Sequence, residues 1–457
     1  MSNRIMTFRR RSLTLGCCLV VSGASGVVAQ PQELDAEPTQ LNRTQPVTVP
    51  EPKRKKIRVA PPAAVTPTAL SGPPVALDGK WTFGGALRAR IDVNFDAANA
   101  RTGAPDTRSY IGFDTLILKA AYDSSTFFGA AQYRIHGGAF PYTRVAGYKG
   151  YLGEFSFLQF AYAGVKLNAN DSVSIGLQQV PFGLLPYFST TFFETIGFVN
   201  GIEDLYNVGV KYNHTEADLN YQFGYFPSDG GNYFGISRNS ARYSTNIVKA
   251  DGYLAGGTNN VEQHMLVGRG EYTFFNSGDA TATVGASILR SSIYNYDTQE
   301  YGSKQQEALH LVGTYGPWTL RTLGARIDID PRNPGGANSL ISVGGYDGSY
   351  NLATKGWFVS GDLSYKLSPE HGPFSELTPY VNYSALYKDR ADFRDTERYM
   401  VGCVWVLREI PEIYIYTEAR FGRNDPYTGA GQYAQGLGAG GDNKFKTSFY
   451  TNIGYYF

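Results

Sequence analysis

The chain is poor in cysteine. It has three in 457 residues, and Cys17 and Cys18 both fall within the first 29. Only Cys403 lies beyond them, so no disulfide is available there and the fold must hold without staples. Long apolar runs are also missing. Ser12 to Val28 is short and interrupted by Gly16, Ser22, Gly23, Ser25 and Gly26. Nothing else approaches the ~20 apolar residues that a spanning helix needs. The five histidines, His136, His214, His264, His310 and His371, show no metal-ligand spacing. There is no G-x-S-x-G elbow and no phosphate-binding loop, since Gly79-Lys80 is followed by Trp81. Gly436-Leu-Gly438-Ala-Gly-Gly441 matches G-x-G-x-x-G but precedes a strand instead of following one, so it reads as a surface loop. Strong net charge is absent as well. The chain carries +1, its first 29 residues hold four arginines and no acid, and about −3 is left for the remainder. These absences exclude a helical membrane protein, a disulfide scaffold and a nucleic-acid binder, and they imply no metal or other cofactor.

The ends of the chain set a compartment. Arg9-Arg10-Arg11, the short apolar run and Val27-Val28-Ala29 have the layout of a secretory signal, so residues 1–29 are expected to be removed. A lipoprotein anchor on Cys17 fits less well, because Thr14 stands where that motif wants Leu. Residues 30–77 carry ten prolines and few residues able to build a core, which predicts an extended periplasmic tether. Its run Lys53-Arg54-Lys55-Lys56-Ile57-Arg58 reads as a solvated charge cluster or as a contact with an anionic envelope surface.

From residue 78 the pattern changes to alternation. Trp81, Phe83, Leu87, Ala89, Ile91, Val93 and Phe95 share one face, and Thr82, Arg88, Arg90, Asp92 and Asn94 the other. Similar segments follow near 112–122, 126–136, 155–167, 171–180, 205–214, 217–226, 261–275, 280–291, 305–315, 317–329, 355–367, 376–389, 397–407, 411–423 and 445–457. That makes about sixteen strands, an even number within the range of single-chain membrane barrels. Short connections (Asp123-Ser124-Ser125, Thr215-Glu216, Gly316-Pro317) alternate with long ones (181–204, 227–260, 330–354). One rim of tight turns and one rim of loops is a barrel layout; a sandwich would scatter its loop lengths. The expected fold is therefore all-β: a transmembrane antiparallel barrel over 78–457, with the short turns toward the periplasm. At about sixteen strands the lumen is wide enough for a water-filled channel.

The last strand puts Phe449, Thr451, Ile453, Tyr455 and Phe457 on one face. Aromatic rings anchor at the lipid–water boundary. The row resembles the C-terminal signal by which Gram-negative barrels are handed to their assembly machinery, so Phe449, Ile453, Tyr455 and Phe457 are the candidate assembly residues.

The most informative connection is 181–204. It is entered through Gly176-Leu-Gln-Gln-Val-Pro181-Phe182-Gly183 and left through Asp204-Leu-Tyr-Asn-Val-Gly-Val-Lys211-Tyr212. Over about 40 residues this stretch resembles the phosphate-selective porin O and P superfamily and its relatives among general outer-membrane porins. The resemblance implies a homotrimer whose third external loop folds into the lumen and narrows it. Glu194, Glu203, Asp204, Phe192 and Phe193 would then be constriction residues. Independently, Leu184, Leu185, Phe188, Phe192, Phe193, Ile196, Phe198 and Val199 are too apolar for a loop left in water. They need burial in the lumen or against a neighbouring protomer. Phosphate-selective members carry basic clusters along the pore, whereas 181–204 holds no Lys or Arg. The phosphate label is therefore not carried over.

The expected function is passive diffusion of small hydrophilic solutes across the outer membrane of a Gram-negative bacterium, with lipid around the barrel and no catalysis. Alternation assigns Arg88, Arg90, Arg134, Lys211, Arg269, Lys366, Arg398 and Arg420, with Asp92, Glu271, Asp362 and Glu418, to the lumen face. A charge on the lipid face would cost ~2–4 kcal/mol at the midplane. An adhesin or receptor using the long loops, or an outer-membrane lipase, would share the same barrel.

Overall fold

The structure, a computed structural model, describes residues 78–457 except 97, 99–100, 102, 104–108, 138–147 and 149–150. The expected signal (1–29) and tether (30–77) lie outside the described residues.

The described residues form nineteen strands. The first half of the chain forms β1 (Lys80–Asn94), β2 (Ser109–Asp123), β3 (Phe127–His136), β4 (Phe155–Lys166), β5 (Asp171–Gln179), β6 (Tyr206–Thr215), β7 (Leu219–Asp229), β8 (Asn246–Ile247) and β9 (Asn260–Ser277). The second half forms β10 (Ala280–Asn295), β11 (Tyr301–Tyr315), β12 (Trp318–Asp330), β13 (Leu340–Gly345), β14 (Gly348–Ala353), β15 (Lys355–Tyr365), β16 (Phe374–Lys388), β17 (Thr396–Leu407), β18 (Ile413–Arg423) and β19 (Phe445–Tyr456). Sixteen of them close an antiparallel barrel, with β1 paired to β19 from Ala86 opposite Tyr456 to Asn94 opposite Ser448. Each strand expected from alternation is in this wall. The other three strands, β8, β13 and β14, form a small sheet made of loop segments. Alternation did not expect them, because all of their residues but Leu340 are buried and their two faces look alike.

The alternation predicted from sequence holds in the wall. Trp81, Phe83, Leu87, Phe223, Trp357, Tyr399 and Val401 are exposed, while Arg90, Asp362, Arg398, Glu418 and Asn452 are buried. So broad an exposed apolar band has lipid as its natural partner. One rim carries the tight turns. Gly278 and Gly316 occupy positive φ, at 57° and 51°, in the two-residue connections β9–β10 and β11–β12, where a Cβ would be strained. At the β4–β5 turn the Asn168 carboxamide oxygen accepts from the backbone N–H groups of Asn170 and Asp171 at 2.8 and 2.9 Å. The long connections gather at the other rim.

The apolar core lies inside the barrel and to one side. The third long loop, residues 180–205, contributes Val180, Phe182, Leu184, Phe188, Ile196, Val199, Ile202 and Leu205. They pack on Leu289, Leu323, Ala325, Phe358 and Leu386 of the wall and on Ile341, Val343, Tyr350 and Leu352 of the small sheet. Burying each such side chain stabilises by roughly 1.5–3 kcal/mol. This loop is therefore inward-folded and held by its own barrel, and these side chains need no neighbouring protomer to cover them.

Candidate functional site

Hydrogen bonds fix the loop at both ends and at its tip. At its entry, Arg269 Nε donates to the Gly183 carbonyl at 2.6 Å, and the Gly183 N–H donates to Ser287 Oγ at 3.0 Å. Within the loop, Glu203 clasps the chain by accepting from the N–H groups of Phe188 and Thr195, at 2.8 and 3.0 Å, and from the Thr195 hydroxyl. Thr195 in turn caps the one-turn helix α1 (Ile196–Val199) by accepting from the Gly197 N–H. Asp204 accepts from the Gln179 amide at 3.2 Å and from the Tyr243 hydroxyl. The tip reaches the opposite wall. Thr190 donates to Asp362 at 2.7 Å, the Phe192 N–H to Glu418 at 2.6 Å, and the Ile196 N–H to Ser384 at 3.1 Å. Arg398 donates to the Glu194 carbonyl at 3.1 Å.

With the loop's apolar side committed to the β9–β16 wall, a cavity of about 690 Å³ remains against the other side. Arg88, Arg90, Asp114 and Arg134 of β1–β3 line it, with Tyr414 and Tyr416 of β18 and Tyr450 and Tyr456 of β19. The loop supplies Phe192, Phe193, Glu194 and Phe198, and longer connections supply Tyr243, Tyr346 and Tyr427. Arg90 donates to Asp92 at 2.6 and 3.0 Å and to Asp114 at 3.2 Å. Arg134 donates to Gln159 at 2.7 Å and lies 4.4 Å from the Tyr243 ring centre. Arg88 lies against the rings of Phe192 and Tyr456, 5.1 and 5.4 Å from their centres.

Of the three loop acids, Glu194 alone lines the cavity. It stands at φ 58°, an uncommon conformation for a side-chain-bearing residue, and its Oε2 is buried with no hydrogen-bond partner among the described residues. Glu203 and Asp204 are turned into the fold. All three carboxyls are raised above their ordinary range, first by burial. For Glu194, Asp204 and Glu203 add their charge to that effect; for Asp204, Arg134 and the Tyr243 hydroxyl pull the other way.

The remaining candidates have other partners. Lys211 donates to the Gln179 carbonyl at 3.0 Å, and Arg269 pairs with Glu271, which also meets His310 at 2.9 Å. Arg420 lies over Phe193, 3.7 Å from its centre, and donates to Ser448. Lys366 pairs with Glu376 at 2.6 Å near the rim of short turns. Phe449, Ile453 and Tyr455 face outward on β19, and Phe457, just after its end, is exposed as well. Phe457 closes the barrel seam through backbone hydrogen bonds with Gly85, at 2.8 and 3.2 Å. Sequence reasoning missed Tyr243, Tyr346 and Tyr427. A total of 34 tyrosines was visible, but period-2 patterning says nothing about which loop residues return to the lumen. Among the described residues no group of His, Cys, Asp and Glu is arranged to hold a metal.

No protein-family model matches the chain, and no curated protein matches it. Solved structures do. The outer membrane channel DcaP of Acinetobacter baumannii superposes with a TM-score of 0.52 at 11% identity, over 83% of this chain and 97% of that one. Salmonella typhi OmpF, in complex with daunomycin, gives 0.51 at 13% identity, over 83% and 98%. The fold is that of the general porins of the Gram-negative outer membrane.

Proposed function

We propose that the protein is a passive porin, through which small hydrophilic solutes and ions cross the outer membrane down their gradients. One observation carries this reading: the inward loop is bound to one wall by its apolar face and leaves an arginine-bearing, tyrosine-lined cavity of about 690 Å³ along the other. In this reading Arg88 and Arg134 set the field at the constriction, with Phe192 and Phe193 shaping it, while Arg90 is matched by Asp92 and Asp114 and Glu194 is held toward its neutral form. Lys211, Arg269 and Arg420 act one step back, through the loop they support. The protein needs no cofactor and performs no catalysis. It assembles as a homotrimer, following the resemblance of 176–212 to trimeric porins, and is inserted by the barrel assembly machinery through its outward Phe449–Phe457 row. Residues 1–29 serve as the secretory signal and 30–77 as a periplasmic tether.

Reconstitution into planar bilayers tests this directly. Discrete conductance steps are expected, and a folded barrel that never conducts would favour the receptor reading, in which the loops above the mouth are the working surface.

A further inference from the structure

The arginines of the cavity are not equivalent. Arg90 is neutralised by Asp92 and Asp114, and Arg321 by Asp362 at 3.2 Å. Arg88 and Arg134 have no carboxylate within ion-pair distance among the described residues, and no described group accepts a hydrogen bond from Arg88. Of the two acids in the lining, Asp114 already serves Arg90, while Glu194 is held toward its neutral form by burial and by the neighbouring carboxylates. The cavity therefore has unmatched positive charge.

The surroundings narrow the kind of anion. Phe192 and Tyr456 cover the guanidinium of Arg88, and Tyr243 lies against that of Arg134. Covered faces leave the planar edges: that of Arg88 serves no described acceptor, while Arg134 donates from Nε to Gln159 and from Nη1, at 3.5 Å, to the Tyr346 hydroxyl and keeps Nη2. N–H groups arranged along such edges match the oxygens of a carboxylate. Eight tyrosines and three phenylalanines share the lining with His136 and a few threonine and serine hydroxyls, and a fully hydrated inorganic ion would not exploit the rings. The volume lies within the roughly 300–1,000 Å³ typical of small-molecule sites. We propose that this cavity is a selective binding station for arylcarboxylates: monoanions whose carboxylate meets Arg88 and Arg134 while a flat apolar ring lies among the tyrosines and Phe192. This deepens the channel reading of the same site and rests on it for the solute's passage, though not for its binding.

The test uses the full-length protein in planar bilayers, with phenylacetate, acetate and phenethylammonium as probes. Phenylacetate is expected to reduce the chloride-carried current at a concentration about tenfold lower than acetate, and phenethylammonium to have no such effect. Combining Arg88→Gln with Arg134→Gln should raise the half-blocking concentration of phenylacetate about tenfold. Tyr416→Leu should weaken phenylacetate more than acetate. Arg390→Gln, in an exposed loop, is the control, and heat-modifiable gel migration confirms folding of each variant. Equal block by phenylacetate and acetate, block by phenethylammonium, or indifference to the double replacement would overturn the proposal. If the wild-type barrel does not conduct, the channel reading fails by itself. Calorimetry of phenylacetate with the detergent-folded protein then decides the site. Saturable heat that the double variant loses supports it, and absence of saturable heat refutes it.

Discussion

Arg398 and Asp425 meet through two parallel hydrogen bonds, 2.7 and 2.8 Å, with neither side chain exposed at all. Arg398 sits on β17, Asp425 opens the last long loop, and the same guanidinium reaches the Glu194 carbonyl. One cation thus ties the wall, an outer loop and the lumen loop together. Removing one partner leaves the other charge buried, at a cost of ~3–5 kcal/mol. Asp425→Asn should therefore lower the temperature at which the folded band converts on heat-modifiable gels. Replacing Arg398 by Met along with Asp425→Leu should be milder than either change alone. If the single variant melts like the wild type, the pair is not holding the loops.

Glu418 and Asp362 hold the tip of the lumen loop through Phe192 and Thr190. Each charge-assisted bond is worth about 1.5–3 kcal/mol. Glu418→Ala combined with Asp362→Ala should free the tip while the apolar side stays packed. Single-channel traces should show larger conductance and new open-state noise. Unaltered steps would place the conduction path away from this loop.

Charge replacements in the cavity should not be equivalent. Neutralising Arg88 and Arg134 removes unmatched positive charge and should shift reversal potentials in a salt gradient toward cations, whereas Glu194→Gln, at a carboxyl already held toward its neutral form, should leave them nearly unchanged. The arginine effect should fade near 1 M salt, where the Debye length falls to about 3 Å. Reversal potentials that ignore the arginine replacements would mean that ions do not pass this cavity.

The loop should respond to pH with a definite sign. Burial is the largest influence pushing Asp204 up to about 6 and Glu203 up to about 7. A carboxyl raised on folding contributes stability that is whole below its unfolded value and is lost as pH rises through the folded one. Hydrogen-exchange protection of 186–204, corrected for intrinsic rates, should be greater at pH 5 than at pH 8. Glu203→Gln with Asp204→Asn should flatten that difference. Protection that increases with pH would contradict the assignment.

Phe457 bonds to Gly85 across the seam and stacks on Tyr455, with ring centres 5.9 Å apart. Its removal deletes two seam hydrogen bonds and one outward ring. Less folded barrel should appear in outer-membrane fractions on heat-modifiable gels, and wild-type amounts would show that the seam closes without it.

Much of the fold follows from local rules. A period of two in the wall strands, one rim of short turns and the apolar character of 181–204 are written residue by residue, because each reflects whether a side chain meets lipid, water or core. Alternation alone put Trp81 outside and Arg90 inside. What the loop acids do was not written there. Glu194, Glu203 and Asp204 look alike in sequence, yet Glu203 clasps Phe188 and Thr195, Asp204 meets Tyr243, and Glu194 alone faces the cavity. Tyr243, Tyr346 and Tyr427 reach the same cavity from three separate long loops. The partners of a carboxylate or a loop tyrosine are set by how those loops fold back over the lumen. That arrangement depends on contacts between residues two hundred and more positions apart, as between Arg398 and Glu194 or Phe192 and Glu418. No local pattern encodes such pairings; only closing the barrel around the packed loop decides them.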